Sequence, residues 1–188
     1  MPKITLKRAS QIAAIVAASS VAVYQYSRTD YKHWIDADKD CQNTREEVLI
    51  SESLQKVTLD QKGCHVISGK WYDHYTNQYF TNPNDLDVDH VVPLKEVDRS
   101  GGNKWSKTKK MQYANDLDDK EVLMAVSKSA NRSKGDKDPA DWLPPNTQYQ
   151  CEYIKIWQKI KKEWHLSVDQ KERDFIDVKD KECGLKAN

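Results

Sequence analysis

The residues best suited to chemistry lie in one segment, Asp85-Leu-Asp-Val-Asp-His-Val-Val-Pro-Leu94. A strand is predicted from Leu86 to Leu94. The aspartates at positions 85, 87 and 89 alternate along the chain, so in an extended conformation their carboxylates would share one face. Burying several carboxylates is costly unless a cation compensates. An aspartate beside a histidine can divide the work of metal-assisted hydrolysis, because the carboxylate binds a hard divalent ion while neutral imidazole takes a proton from water. Taken alone, such a pair is more often a salt-bridged surface turn.

A second group of polar residues follows about forty positions later and strengthens the hydrolytic interpretation. Asn131 offers an amide oxygen, which is a hard ligand suited to Mg²⁺. Arg132 and Lys134 carry side chains that bind phosphate. The predicted order is a strand with Asp-His, a long loop, a second strand, and a helix that carries the asparagine and the basic residues.

This layout resembles the HNH endonucleases, a ββα-metal (His-Me finger) family, and within them an exported branch of the DUF1524 type. The resemblance covers the chain from Trp34 to about Trp164. Four segments carry it together: Asp87-Val-Asp89-His90-Val-Val-Pro93-Leu94, Tyr113-Ala-Asn115-Asp116-Leu117, Ser129-Ala-Asn131-Arg132-Ser-Lys134-Gly135-Asp136 and Asp138-Pro-Ala-Asp-Trp142-Leu-Pro-Pro145. It implies an α+β fold with a ββα-metal core, additional short strands and flanking helices.

The resemblance also implies a role for each matching residue. His90 would be the general base that activates water, and Asp89 and Asn131 would hold one divalent ion on the scissile phosphate. Asn115 would brace the loop and orient the base. Many HNH proteins have a second histidine where Asn131 stands, which favours Mg²⁺ or Mn²⁺ over a zinc-like site. Removal of Asp89 is expected to relieve repulsion on the acidic strand face.

The predicted function is an exported, metal-dependent endonuclease that hydrolyses DNA, with RNA left open, and has little sequence specificity. The alternative is a non-enzymatic exported binding module in which Asp85, Asp87 and Asp89 hold a structural calcium ion. DNA and RNA preference, biological role, inhibitor partner and oligomeric state stay open.

A further acidic cluster precedes the first predicted helix. Asp36, Asp38, Asp40 and Glu47 occupy ligand positions of a calcium loop, although Cys41 stands where that loop normally has glycine. The pattern admits a structural Ca²⁺; the alternative is an acidic turn that caps the helix. Arg45 beside it is a further candidate phosphate contact.

Basic residues concentrate where a nuclease would need them. Residues 95–137 hold eleven Lys or Arg against seven Asp or Glu. Lys107, Lys109 and Lys110, interleaved with Trp105 and Tyr113, are expected to follow a phosphate backbone and stack on exposed bases. The alternative is a solvated loop.

The N-terminus has the pattern of an export signal. Lys3, Lys7 and Arg8 precede a largely apolar run from Ile12 to Val23, which is shorter than a bilayer span. We predict a signal peptide or an uncleaved membrane anchor over residues 1–23, and a secreted or periplasmic protein. Removal of these residues takes away three of the 30 basic side chains and none of the 29 acidic ones, which leaves a formal net charge of −2. Global charge therefore gives no argument for a nucleic-acid partner.

Export changes the interpretation of the four cysteines. None forms a CxxC pair, and an even number in an oxidising compartment indicates two disulfides with three open connectivities. The pairs Cys41–Cys64 and Cys151–Cys183 are favoured, because each closes a local loop on one side of the central segment.

The remaining chain is expected to form one nuclease domain over residues 28–188, with a core motif at about 84–146 and a C-terminal helical segment at 149–183. A helix is predicted from Thr44 to about Gln55, capped by Asn43 or Thr44. Short strands are predicted near residues 64–67, 69–72 and 79–81. The run at residues 121–127 is strand or helix by periodicity alone. Apolar residues at three- and four-residue spacing predict a helix from Tyr149 to Trp164.

Overall fold

The structure, a computed structural model, describes residues 24–185. Within that range the chain forms six α-helices, three short 3₁₀ turns and three two-stranded antiparallel sheets. The predicted α+β class is therefore confirmed. The helices are α1 (Thr44–Glu52), α2 (Leu94–Arg99), α3 (Lys107–Ala114), α4 (Lys128–Lys134), α5 (Gln150–Glu163) and α6 (Gln170–Glu182). The strands are β1 (Thr58–Leu59), β2 (Val66–Ser68), β3 (Trp71–Asp73), β4 (Gln78–Phe80), β5 (Leu86–His90) and β6 (Leu123–Ser127).

The centre of the fold is the β5–β6 pair. The register runs from Leu86 opposite Ser127 to His90 opposite Leu123. All five residues of β6 are buried, which explains why the run at 121–127 has no amphipathic period. The predicted strand from Leu86 is present but ends at His90, because Pro93 precedes the first turn of α2.

Helix α4 begins directly after β6. Ser127 caps it, since its hydroxyl accepts a hydrogen bond from the backbone N–H of Ala130 at 3.3 Å. The helix packs on both β5 and β6. Two antiparallel strands followed at once by a helix is the order that the sequence predicted for the core.

The outer edge of β6 is closed by two side-chain carboxylates. Glu52 accepts a hydrogen bond from the backbone N–H of Ala125 at 2.9 Å, and Asp73 accepts one from Ser127 at 3.1 Å. Burial raises the pKa of Glu52 to about 7. The strand thus has β5 on one side and carboxylates from α1 and β3 on the other.

The predicted helix at the C-terminal side is present as α5, and α6 packs against it. Tyr153, Ile156, Trp157 and Ile160 form its buried face. The buried ammonium of Lys161 contacts carboxylate oxygens of two elements, Glu96 of α2 at 2.5 Å and Glu172 of α6 at 2.6 Å. This ion-paired lysine fastens the C-terminal helices to the core.

Two disulfides staple the chain, and both have the favoured connectivity. Cys41 is joined to Cys64, and Cys151 to Cys183. By the chain-entropy model, loops of this length contribute roughly 3 kcal/mol each. The first bridge ties the acidic loop to the segment before β2, and the second joins the start of α5 to the end of α6.

Helix α1 confirms the prediction of its start, because the Asn43 side chain accepts hydrogen bonds from the N–H groups of Arg45 and Glu46. Helix α3 has no counterpart among the predicted helices, because residues 98–119 are polar and show no apolar helical period. Its buried residues are Lys110, Tyr113 and Ala114. A lysine on the buried face hides the apolar periodicity by which such a helix is recognised.

Between residues 24 and 185, no helix is long and apolar enough to cross a membrane. The predicted signal peptide or anchor at residues 1–23 lies outside the described residues.

The pKa of Glu52 generates a testable pH dependence. Its folded value of about 7 exceeds its ordinary value of 4.5, so the folded chain retains a proton that the unfolded chain releases as pH rises between these values. The Glu52 carboxyl should therefore contribute a fall in stability of about 2–3 kcal/mol from about pH 4.5 to about pH 7. The substitution Glu52→Gln keeps an oxygen for the Ala125 N–H and should abolish this fall.

Urea unfolding at half-unit steps from pH 4 to pH 8 measures the effect. The matched control is Glu152→Gln, because Glu152 is exposed on α5 and pairs with Lys155. An equal pH slope in the wild type and in Glu52→Gln would contradict the assignment.

Candidate active site

Two elements bring four polar side chains together on one face of the central strand pair. Asp87 and Asp89 are two residues apart on β5 and therefore point to the same side. Asn131 and Lys134 are three apart on α4 and lie one turn above each other. The amide of Asn131 donates a hydrogen bond to Asp87 at 3.1 Å. The ammonium of Lys134 donates to both oxygens of Asp89, at 2.9 and 2.7 Å.

Asp89 and Lys134 form a buried ion pair. Asp89 is 5% exposed and Lys134 is fully buried. The hydroxyl of Tyr75 donates to Asp89 at 2.8 Å, and Lys134 also donates to the backbone carbonyl of His90 at 2.8 Å. Burial raises the pKa of Asp89 and lowers that of Lys134, because each group loses water, while their mutual attraction opposes both shifts.

The imidazole of His90 has a different set of partners. Its Nε2 lies 3.0 Å from the backbone carbonyl of Ala114. A carbonyl only accepts, so Nε2 carries the proton and Nδ1 keeps its lone pair. The ring stacks between Tyr113 of α3 and Trp34 of the N-terminal segment. Burial lowers the pKa of His90 to about 3, so the imidazole is neutral near pH 7 and binds a proton less readily than an exposed histidine does.

Asn115 is the residue after Ala114, whose carbonyl is bonded to His90. Its side-chain oxygen accepts hydrogen bonds from the N–H of Ile35 at 3.1 Å and the hydroxyl of Thr44 at 2.8 Å. Its amide donates to the carbonyls of Lys32 at 2.7 Å and Met111 at 2.8 Å. All of its hydrogen-bonding groups are thus engaged in joining the end of α3 to residues 32–44.

Several basic residues lie elsewhere than expected. Lys134 cannot reach a phosphate in this structure, because its ammonium is buried on Asp89. Lys110 is also buried, 3.5 Å from Asp98 and 3.3 Å from the Tyr24 hydroxyl. The Arg45 guanidinium bonds Glu46 and the carbonyls of Pro83 and Leu86. Of the predicted phosphate contacts, Arg132 and Lys107 are exposed and Lys109 is partly exposed.

The expected base-stacking pair is also different. Tyr113 is fully buried and donates its hydroxyl proton to the carbonyl of Val92. Trp164 of the C-terminal segment also lies beside Trp105, whose ring centroid is 5.5 Å from that of Trp164 and 5.9 Å from that of Tyr113. The ammonium of Lys109 lies 4.4 Å from the Trp105 ring. Trp164 and Gln112 line a surface cavity of about 820 Å³ next to this cluster.

The three aspartates of the catalytic segment do not share one face. Asp85 belongs to a 3₁₀ turn before β5 and is exposed. The alternative ion site built from Asp85, Asp87 and Asp89 therefore loses one of its ligands, because the strand that was to align them begins at Leu86.

The acidic loop does bring three carboxylates together. Ligand oxygens of Asp36, Asp38 and Asp40 lie within 4.8 Å of one another. Burial, followed by the charges of Asp38, Asp40 and Asp36, raises the pKa of Glu47. Cys41, at the usual glycine position, adopts a φ of 74°, so the sharp turn forms without glycine. The calcium hypothesis for this loop stays a prediction.

The donor set on the β5–α4 face suits a hard divalent ion. Asp87 and Asn131 are partly exposed oxygen donors, and Asp89 is fixed beside them. No sequence pattern marks Tyr75 or Trp34 as a site residue, because their partners, Asp89 and His90, are distant in the sequence. Asp87 was visible as part of the alternating acidic run, but its bond to Asn131 was not.

Comparison with known proteins supports a nuclease. Residues 40–176 match the family described as GmrSD restriction endonucleases, C-terminal domain. An uncharacterized secreted protein of Arthroderma benhamiae is 38% identical over 151 residues, which cover 80% of this chain and 72% of that protein. No solved structure matches the chain.

The ion pair predicts a large stability effect. Lys134→Met should lower the free energy of unfolding by about 3–5 kcal/mol, because it leaves the carboxylate of Asp89 buried without a cation. The double variant Lys134→Met/Asp89→Asn should recover much of the loss. For the same reason Asp89→Ala should destabilise the protein, which reverses the expectation from the acidic strand face.

Urea unfolding at pH 7.5 measures these changes. Lys155→Met is the matched control, because Lys155 forms an exposed pair with Glu152 and such pairs contribute little. A wild-type midpoint for Lys134→Met would show that the pair does not hold the fold.

Proposed function

This chain belongs to the family of GmrSD restriction endonuclease C-terminal domains, and we propose that it is a divalent-metal-dependent endonuclease of the HNH type. Its substrate is DNA, with RNA left open, and cleavage has little sequence specificity. The observation that carries the proposal is the β5–β6–α4 unit, which collects Asp87, Asp89 and Asn131 on one face, with His90 as the next residue of β5 and its Nε2 bonded to the Ala114 carbonyl.

In this proposal the oxygen donors of Asp89 and Asn131 hold the ion, with Asp87 beside them. Mg²⁺ is the preferred ion and Mn²⁺ the alternative. A bound divalent ion supplies charge neutralisation at the scissile phosphate and the leaving oxygen. Lys134 and Tyr75 fix the Asp89 carboxylate through three hydrogen bonds. An ion would have to share the Asp89 oxygens with Lys134 and Tyr75.

His90 provides the proton acceptor. The carbonyl of Ala114 keeps the proton on Nε2, so Nδ1 receives the proton of the attacking water. Asn115 supports this arrangement from the next position, because its four hydrogen bonds immobilise the end of α3. It acts as a positioning residue.

Substrate contacts in the proposal go to phosphate and to unpaired bases. Lys107, Lys109 and Arg132 remain available for phosphate, and Trp105 with Trp164 offers aromatic surface. The sequence carries no recognised base-reading motif, so the proposed contacts go mostly to the nucleic-acid backbone.

Export is the proposed location. It is supported by the basic and apolar N-terminal pattern, by the two disulfides, and by the secreted description of the 38% identical relative. The alternative of a calcium-stabilised binding module predicts no cleavage at all, so the first nuclease assay separates the two.

The catalytic assignment is tested by separating the base from the ligands. His90→Ala should lower plasmid nicking by about 10²–10⁴-fold and leave Mn²⁺ affinity in calorimetry unchanged. Asn131→Ala and Asp89→Asn should weaken Mn²⁺ affinity, and higher Mg²⁺ should recover part of their activity. EDTA should abolish cleavage by the wild type, and added Mg²⁺ should restore it.

His65→Ala is the control, because His65 is exposed and lies outside the site. Wild-type nicking by His90→Ala would show that this histidine is not the base.

The exposed and buried lysines of α3 should differ in DNA binding. Lys107→Gln/Lys109→Gln should reduce the slope of log K against log salt by about 2, because two phosphate contacts are lost. Lys110→Gln should leave that slope unchanged and lower stability instead, since its ammonium is buried with Asp98. Fluorescence anisotropy on duplexes of two unrelated sequences measures both slopes. An identical slope for the double variant and the wild type would assign the cluster to a solvated surface.

A further inference from the structure

The imidazole of His90 is enclosed by three groups. The Ala114 carbonyl binds Nε2 at 3.0 Å. The Tyr113 ring lies 6.0 Å from the imidazole at 24°, and the Trp34 indole lies 5.7 Å away at 21°. Both rings are nearly parallel to the imidazole and pack against it, so they restrict its rotation. The imidazole is 4% exposed, so its plane is fixed and its Nδ1 edge is what remains for chemistry.

Trp34 reaches this place through an unusual backbone conformation. Its φ is 57°, in the left-handed region that is unfavourable for a bulky side chain. Residues on both sides of it are held by one side chain, because Asn115 donates to the carbonyl of Lys32 and accepts from the N–H of Ile35. The Ile35 carbonyl is fixed in turn by Thr44 at 2.9 Å.

The same asparagine therefore links both supports of His90. Asn115 directly follows Ala114, whose carbonyl orients the imidazole, and it also clamps the turn that presents Trp34. Tyr113, the second ring that stacks on His90, is part of the core, and its hydroxyl donates a hydrogen bond to the Val92 carbonyl. Trp34 is only partly buried and precedes the residues that match the family, 40–176. Strained positions of this kind persist where the surrounding structure enforces them, and they cluster at functional sites.

We propose that Trp34 is a positioning residue of the active site, whose indole holds the imidazole of His90 in the plane and tautomer that direct Nδ1 at the attacking water. The proposal rests on the proposed role of His90 as general base. Without the indole, the imidazole gains rotational freedom and water on one face. Fewer molecules then have Nδ1 in the productive direction, while metal ligands and phosphate contacts stay in place. The turnover number should fall, and the Michaelis constant for DNA should not change.

The test compares three substitutions with a control on the same segment. Trp34→Ala removes the ring, Trp34→Leu keeps apolar volume without a ring, and Trp34→Phe keeps an aromatic face. Tyr26→Ala is the control, because Tyr26 packs on Tyr31 of the same segment. Plasmid nicking with Mg²⁺ gives kcat and KM, and ¹⁵N chemical shifts of the His90 ring nitrogens report the tautomer independently of activity.

Trp34→Ala and Trp34→Leu should lower kcat about 10- to 100-fold at unchanged KM, and their His90 shifts should show a mixture of tautomers. Trp34→Phe should restore most of the turnover and the single Nε2–H tautomer. Tyr26→Ala should resemble the wild type. Wild-type kcat with an unmixed tautomer in Trp34→Leu would overturn the proposal, and so would an equal loss in Tyr26→Ala.

A wild-type protein that cleaves no nucleic acid with any divalent ion would refute the proposed function rather than the positioning role. The ¹⁵N shifts then decide the latter. A single tautomer that becomes mixed on loss of the indole supports it, and a tautomer indifferent to Trp34 overturns it.

Discussion

The buried pair of Asp89 and Lys134 is the constraint on which the site depends. Its contacts join β5, α4, the segment after β3 and the backbone of His90 at one point. A buried carboxylate needs a cation, and a buried ammonium needs several acceptors. Lys134 supplies the cation that Asp89 needs, and Asp89 supplies acceptors for Lys134. Because the two side chains must meet, α4 can pack on β5 in one register only. That register places Asn131 against Asp87.

Buried lysine–carboxylate ion pairs occur at two other places in the described part of the chain. Lys110 is buried with Asp98 beneath the N-terminal tyrosines, and Lys161 is buried between Glu96 and Glu172 beneath the C-terminal helices. Each lysine fastens one flank of the molecule to the core. The interior of this polar chain thus combines a hydrophobic cluster with buried lysines whose charges are paired.

Sequence reasoning succeeded where a local pattern fixes the outcome. The order of β5, β6 and α4 follows from the acidic run, the apolar run and the asparagine segment, while α5 follows from its helical spacing. The disulfides follow from locality. It failed where a side chain chooses a distant partner: Lys134 resembles a phosphate ligand until Asp89 is seen beneath it. Similarly, sequence reasoning does not show that Lys110 lies on the buried face of α3, or that the Trp34 indole stacks on His90.

The carboxylates along β6 have a consequence for how this molecule behaves among its own copies. A strand of sequence Leu123-Met-Ala-Val-Ser127 with one open edge would be a template for cross-β growth. The outward N–H groups of Ala125 and Ser127 are already bonded to Glu52 and Asp73, so an incoming strand finds no donors there. Two acidic side chains thus block this strand edge, which opposes amyloid-like association.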